Sequence, residues 1–324
     1  MTRDEPMRAW RSADPGRAPA ERSPDPDPVT AKRPRIGFVG AGHVGTALAV
    51  AFQGADWPIG GAASRSPERR REFERLVPSA VTVEAPAGLL DLVDILFVTV
   101  PDDAIPGVVA DLRLYSGQAI VHTSGLLPST VLEPALAAGC AAASFHPLVA
   151  FADVDRAVAA MRGASIALEG DEQLVAVLAG LAESIGARPV RVETAGKAAY
   201  HIAAVLAAGG LIGLFEAIAT VARGAGLDEA GALAVYAPLA RQALSNAERL
   251  GLQRALTGPI ARGDAGTVEE HLAALRRLAP EVLGPYLALA MAQLAVAERR
   301  GGLTPEAAAR LRGLLANDDG SGSM

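Results

Sequence analysis

From residue 34 to residue 193 short apolar runs alternate with stretches whose apolar positions recur at helical spacing; beyond residue 194 only long alanine- and leucine-rich segments follow. The runs Ile36 to Val39, "WPIGGAAS", "AVTV" from Ala80, "DILFVTV" from Asp94 to Val100, "QAIVHTSG" from Gln118, "AAAS", "ASIALEG" and "RPVRV" read as strands. Continuous apolar runs of strand length, separated by helical stretches, are what a parallel sheet covered on both faces requires. The pattern therefore predicts an α/β fold, a doubly wound parallel sheet over 34–193, and then an all-α domain over 194–318. Its helices are expected at 195–224, 228–249, 267–277, 281–299 and 305–315. Residues 1–33, rich in Pro, Arg, Asp and Ser without an apolar core, read as a disordered tail and not as a signal peptide, and 319–324 as a second tail.

The first run leads into Gly40-Ala41-Gly42-His43-Val44-Gly45 and a helix-like alanine-rich stretch. Strand, glycine loop and helix in this order form the Rossmann dinucleotide fingerprint. Gly40 permits the tight turn, Gly42 lets the backbone approach a pyrophosphate, and Gly45 lets helix and strand pack closely. The helix N-terminus then offers N–H groups and a partial positive charge to the phosphates. The second run ends in Ser64-Arg65-Ser66, where an NAD site would place an acid to hold the ribose; a hydroxyl and an arginine suit the 2'-phosphate of NADP. Ser66 can equally cap a helix with Pro67 at its first position, and Arg69, Arg70 and Arg71 read as a solvated helix face. The ends of later strands bring Val100-Pro101-Asp102-Asp103, His122-Thr123-Ser124-Gly125 and Phe145-His146-Pro147 to the edge where such sheets bind ligands. Val100 and Pro101 join the expected cofactor contacts, and Asp102 and Asp103 read as either helix caps or ligand contacts.

Charge and cysteine content narrow the class. A net charge of -6 with scattered arginines leaves no basic stripe for nucleic acid. The single Cys140 excludes an internal disulfide framework and suits the cytoplasm. No His, Cys and carboxylate spacing has the form of a metal site. The longest uncharged apolar run, residues 202–215, is shorter than a bilayer span of ~20 residues, so the expectation is burial in a core or in a homodimer interface.

One residue stands apart by its rarity. Of the 30 lysines and arginines only Lys32 and Lys197 are lysine, and lysine, unlike arginine, can give up its proton in a protein. With Thr194 as N-cap, Lys197 falls in the first turn of a helix, where burial and the helix dipole lower its pKa toward the range acid catalysis needs. His201, four residues on, shares its helical face. His43 lies in the glycine loop and His271 on an ordinary helix face.

With the glycine loop, "HTSGLLP" and "GKAAYH" in place, the chain resembles the β-hydroxyacid dehydrogenase and ketopantoate reductase superfamily. Through "VTVPDDAI", "VHTSG", "SFHPL" and "LTGPIARGD" it resembles more narrowly an uncharacterised branch of Rossmann-like oxidoreductases with a helical C-terminal domain of unknown function. The resemblance implies that Lys197 is the proton donor or charge stabiliser beside a nicotinamide. It puts His201 where the superfamily has a substrate-binding asparagine, and Thr123 and Ser124 where hydroxyls hold a substrate carboxylate. His146-Pro147 resembles the His-Pro pair of prephenate dehydrogenases. The implied activity is hydride transfer between NADP and a small C=O or C=N substrate, a ketopantoate-like oxoacid or an imine; a catalytically silent NADP-binding sensor or scaffold is the alternative.

Overall fold

The computed structural model describes residues 33–316, so both expected tails, apart from Arg33, lie outside the described residues. Eight strands form one sheet: β1 Ile36–Val39, β2 Ile59–Ala63, β3 Val81–Val83, β4 Ile95–Val98, β5 Ala119–His122, β6 Ala141–Pro147, β7 Ser165–Gly170 and β8 Arg188–Arg191. Their order is β3-β2-β1-β4-β5-β6-β7-β8. Neighbours run parallel except β6 and β7, which are antiparallel, so the last two strands point opposite to the other six. The sheet is parallel-dominated, as expected, with this one antiparallel junction.

The helices that cover this sheet are α1 His43–Gly54, α2 Pro67–Leu76, α3 Ile105–Ala110, α4 Glu133–Ala137, α5 Val154–Met161 and α6 Glu172–Ser184. Side chains alternate across the strands and build two cores. Ile95 and Phe97 of β4 join Phe38, Phe52, Phe73 and Phe145 on one face, whereas Leu96 and Val98 join Ile105, Val109, Ile120 and Leu132 on the other. Phe97 packs edge-on to Phe145 at 5.5 Å and stacks on Phe38 at the same distance, which fixes the centre of the first core. Both faces need covering because each strand presents apolar side chains on both.

The helical region comprises α7 Lys197–Ala207, α8 Gly209–Ala222, α9 Glu229–Leu250, α10 Leu252–Ala255, α11 Pro259–Arg262, α12 Ala265–Leu278, α13 Leu283–Arg300 and α14 Pro305–Ala316. The expected helix over 195–224 is thus two helices interrupted at Ala208, and α10 and α11 carry no apolar period long enough to be seen in the sequence. The chain divides into two compact units between Val205 and Leu206, so Lys197 and His201 belong to the unit that contains the sheet. The second unit has its own core, in which Val268, Leu272, Leu294 and Leu311 meet.

Two helical stretches, Thr194–Ala225 and Pro280–Arg300, are long and apolar enough to cross a membrane by length and composition. The estimate from the uncharged run alone is corrected here, because helical structure, interrupted at Ala208, continues past both ends of that run. Exposed apolar side chains line the first stretch, with Ile202 60% and Ile212 72% accessible.

Candidate active site

The glycine turn has the geometry its sequence implies. Gly40 sits at φ +109°, and a Cβ there would lie 2.7 Å from the Thr99 carbonyl oxygen; at Gly45 it would lie 2.2 Å from the Gly40 carbonyl oxygen. Neither position admits a side chain. Gly42 precedes α1 with no side chain capping it and no acid in the first turn, so the positive end of that helix is open to an anion.

Beside this turn runs a groove of about 880 Å³. Gly40, Gly42, Ser64, Arg65, Ser66, Val100 and Pro101 all line it, as the sequence suggests for a nucleotide. Arg69 lines it too while remaining exposed, as expected of a solvated helix face, because α2 begins at the groove edge. Arg70 donates to the Ser64 carbonyl and Arg71 pairs with Glu68, leaving those two to organise the loop. Ser66 caps α2 by accepting from the Arg69 N–H, as expected, and donates to Glu68. Glu84, at the end of β3, is a groove carboxylate that a search of β2 alone overlooks. His43 opens α1 and donates from Nδ1 to the Phe151 carbonyl at 3.0 Å, with Val44 and Gly45 behind it in the same helix.

A second cluster surrounds the rare lysine. Strand register places His122, Ser144 and Glu169 side by side across β5, β6 and β7. Lys197, only 3% accessible, reaches over this row. Its Nζ donates to Ser144 Oγ at 2.8 Å and to the Ser124 carbonyl at 3.4 Å, and lies 3.9 Å from Glu169 Oε2. Ser144 passes the contact on, donating to Glu169 Oε2 at 3.3 Å. Glu169 is held further by the Ser129 N–H at 2.8 Å, the Ser129 hydroxyl at 2.9 Å and the Thr194 hydroxyl at 2.9 Å. Burial pushes the Lys197 pKa below the ordinary lysine range, against the pull of Glu169 and Asp102. Burial would raise Glu169, but the Ser129 and Thr194 hydrogen bonds and the Lys197 charge hold it below the usual carboxylate range.

Two expectations about caps are corrected. Thr194 does not cap the lysine helix: it begins a 3-10 turn preceded by Glu193, and its hydroxyl is spent on Glu169. Asp102 does not cap the turn that follows it either, for its carboxylate accepts the Ser124 hydroxyl at 2.6 Å. Ser124 Oγ in turn accepts from the Leu126 and Leu127 N–H groups. That hydroxyl is therefore committed within the loop, and the part of Ser124 that meets Lys197 is its carbonyl.

The histidines form a third group. Buried His122 is pushed down to about 4 by desolvation and then by Lys197, and is locked between the Ser124 N–H and the Pro128 carbonyl. His146, also held at about 4 by burial and by the charges of His201 and Lys197, is neutral near pH 7. Its Nδ1 lies 2.9 Å from the hydroxyl of Tyr200, whose own pKa burial raises to about 12. His146 and His201 meet edge to face at 5.9 Å, and a Cβ on Gly125 would strike both rings. Lys197 and Ser124 are thus in contact, His146 and His201 are in contact, and the charge of Lys197 bears on His146. Sequence reasoning missed Glu169, Ser144 and Tyr200, and placed Gly125 at the ligand edge without a role of its own; an acid inside the apolar strand "ASIALEG" was the one available signal. His271, read as an ordinary surface position, pairs with the Tyr286 hydroxyl at 3.0 Å in the helical unit. Among the described residues no cluster of three or more His, Cys, Asp or Glu is placed to hold a metal.

Two family models match the chain. The family model of a Rossmann-like domain matches residues 19–147, and that of a domain of unknown function (DUF2520) matches residues 164–293. No curated protein matches the chain. Among solved structures, protein TM1727 from Thermotoga maritima is 26% identical with a TM-score of 0.64, over 82% of this chain and 98% of that one. BF3122 from Bacteroides fragilis, described as an NADP oxidoreductase, is 23% identical with a TM-score of 0.67, over 82% and 99%. A reductive aminase from Aspergillus terreus, solved with NADPH and ethyl levulinate, is 20% identical with a TM-score of 0.63, over 87% and 99%. The chain is thus similar along most of its length to these solved structures, and at these identities what is shared is the fold.

Proposed function

We propose that the protein is an NADP-dependent oxidoreductase that moves a hydride between nicotinamide and a small C=O or C=N substrate, as the superfamily resemblance implies. The observation that carries this reading is the loop after β4. Val100, Pro101 and Asp103 line the nucleotide groove, while Asp102 between them grips Ser124, whose carbonyl receives Lys197. One loop therefore joins the groove to the lysine cluster. The solved relatives described with NADP or NADPH support the same choice of cofactor.

A nicotinamide bound there would supply the hydride. Gly40, Gly42 and the α1 N-terminus would hold its pyrophosphate, and Arg65 and Arg69 its 2'-phosphate. Lys197 would stabilise negative charge at the reacting heteroatom or give it a proton, with Ser144 and Glu169 holding the ammonium in place. His146 and His201 would orient the substrate. A second copy of the chain would cover the exposed apolar side chains of the Thr194–Ala225 stretch, making a homodimer.

The test begins with the cofactor. Titrating NADPH and NADH into the protein should give tighter NADPH binding; no binding of either would overturn the reading. A screen of imines and oxoacids with bound NADPH then reads hydride transfer directly and separates an enzyme from a silent binder.

A further inference from the structure

One buried nitrogen beside the lysine cluster has no hydrogen bond. Among the described residues His201 Nδ1 is the single buried side-chain nitrogen or oxygen without a partner. It lies against Gly125, where a Cβ would stand 2.6 Å from it and 2.8 Å from His146 Nε2. Two ring nitrogens therefore converge on one glycine, and the rings meet edge to face with centroids 5.9 Å apart. The other nitrogen of His146, Nδ1, is 2.9 Å from the Tyr200 hydroxyl. Burial keeps the proton on that hydroxyl, raising its pKa to about 12, and His146 Nδ1 is the acceptor within its reach among the described residues. A neutral imidazole has one donor and one acceptor nitrogen, and His146 is neutral near pH 7. Accepting from Tyr200 at Nδ1 thus puts the proton of His146 on Nε2. At His201, a proton on Nδ1 would set N–H beside N–H at Gly125 and strand a buried donor, whereas a lone pair there lies beside the N–H of His146.

We propose that Tyr200 is a positioning residue: acting through His146, it sets the tautomer of His201, so that His201 keeps its proton on Nε2 and offers that N–H to an acceptor atom of the substrate. The three side chains form one directed row. Tyr200 donates to His146 Nδ1, the His146 Nε2–H lies beside His201 Nδ1, and His201 Nε2 is the nitrogen left to donate. Reversing either imidazole alone sets two N–H groups or two lone pairs together. Gly125 permits the row, because a side chain there would strike both rings. His201 follows Lys197 by one turn of α7, so a fixed N–H donor and an ammonium share one helical face. The inference rests on the reductase reading and adds to it the way in which a substrate acceptor is held; no proton is transferred and no bond is broken in this arrangement.

The test reads the tautomers directly. The chain has five histidines, so NMR with isotope-labelled histidine resolves each ring, and His146→Gln and His201→Gln assign the two signals that matter. In the parent near pH 7 both rings should carry the proton on Nε2. Tyr200→Phe keeps the aromatic ring and removes the hydroxyl; it should turn His146, and His201 with it, into a mixture of tautomers. Adding cyclopentanone, an uncharged probe whose oxygen can only accept, to the NADP-loaded parent should shift the His201 Nε2 signal. Its Kd should rise about threefold to tenfold in Tyr200→Phe, the worth of one ordinary hydrogen bond. A proton on Nδ1 of either ring in the parent, tautomers unmoved by Tyr200→Phe, or cyclopentanone that leaves His201 Nε2 untouched or binds the variant equally well would each overturn the proposal. Failure to bind NADP would instead overturn the reductase reading, and the tautomers of the parent are readable without nucleotide, so the two failures are distinct.

Discussion

Replacing Glu169 by glutamine would remove the counter-charge of a buried ammonium and leave a side chain of the same shape. The charges are 3.9 Å apart, a separation at which a pair is worth about 4 kcal/mol at an effective dielectric constant of ~20. Removing one partner of a buried pair typically costs ~3–5 kcal/mol, so a stability loss of about 3–4 kcal/mol is expected near pH 7. The lysine can limit the damage by giving up its proton, and that escape makes the loss depend on pH. In the parent, the folded pKa of Lys197 already lies below its unfolded value. Its ammonium therefore opposes folding at pH below the folded pKa, and the penalty fades as pH rises from there toward the unfolded value of ~10.4. Glu169→Gln lowers the folded pKa further, so the deficit of the variant should shrink as the solution is made alkaline. On the acid side the sign reverses. The folded pKa of Glu169 is also depressed, so its stabilisation is present above the unfolded value of ~4.3 and is lost as pH falls through the folded one; the variant should lack that acid-sensitive part.

Urea denaturation of the parent, Glu169→Gln, Lys197→Met and the double variant, across neutral and alkaline pH, measures the pair energy as a double-mutant cycle. Because the chain has only Lys32 and Lys197, NMR with isotope-labelled lysine yields two side-chain signals and follows the Lys197 titration directly. A loss below ~1 kcal/mol in Glu169→Gln, or a double variant no more stable than Glu169→Gln alone, would refute the argument that the two charges sustain each other.

Other outcomes follow from the same geometry. Lys197→Arg should lose roughly a hundredfold or more in kcat with NADPH affinity unchanged, because a guanidinium keeps its proton and cannot fit an ammonium's place between Ser144 and the Ser124 carbonyl; turnover within about threefold of the parent would exclude Lys197 as the acid. Arg65→Ala and Arg69→Ala should each weaken NADPH selectively, by about tenfold if each supplies ~1.4 kcal/mol to the 2'-phosphate, and equal effects on NADH would remove that role. Light scattering at micromolar concentration should give about twice the 33.1 kDa chain mass, and a clean monomer would refute the dimer.

Much of the sheet was legible because an apolar run of strand length between helical stretches has few other solutions. Direction was not. "ASIALEG" and "RPVRV" are strands as read, yet nothing in an apolar run states whether it lies parallel or antiparallel to its neighbour. The helical region was legible in its long periodic segments and illegible at Ala208, where an alanine-rich composition is the same on both sides of the break. The run of three arginines reads as a solvated face, and Arg69 is exposed as read; what the run does not state is that α2 starts at the groove edge and so makes Arg69 part of the groove lining.

The lysine itself was conspicuous through its rarity, but its surroundings depend on strand pairing. Ser144 and Glu169 are register partners across the antiparallel junction of β6 and β7, and His122 is the partner of Ser144 across β5 and β6. Side chains alternate along a strand, so a slip of one residue in β7 would turn Glu169 to the opposite face and bury a carboxylate among apolar side chains with no ammonium near it. The reversal of β7 and the placing of the charge are therefore coupled. Glu169 accepts hydrogen bonds from Ser129, Ser144 and Thr194, each from a different segment, so the carboxylate that holds the ammonium also ties the segment leading into α7 to the sheet. The position of Lys197 over Ser144 is set by that tie, and the buried lysine and the least conventional feature of the sheet have one physical origin.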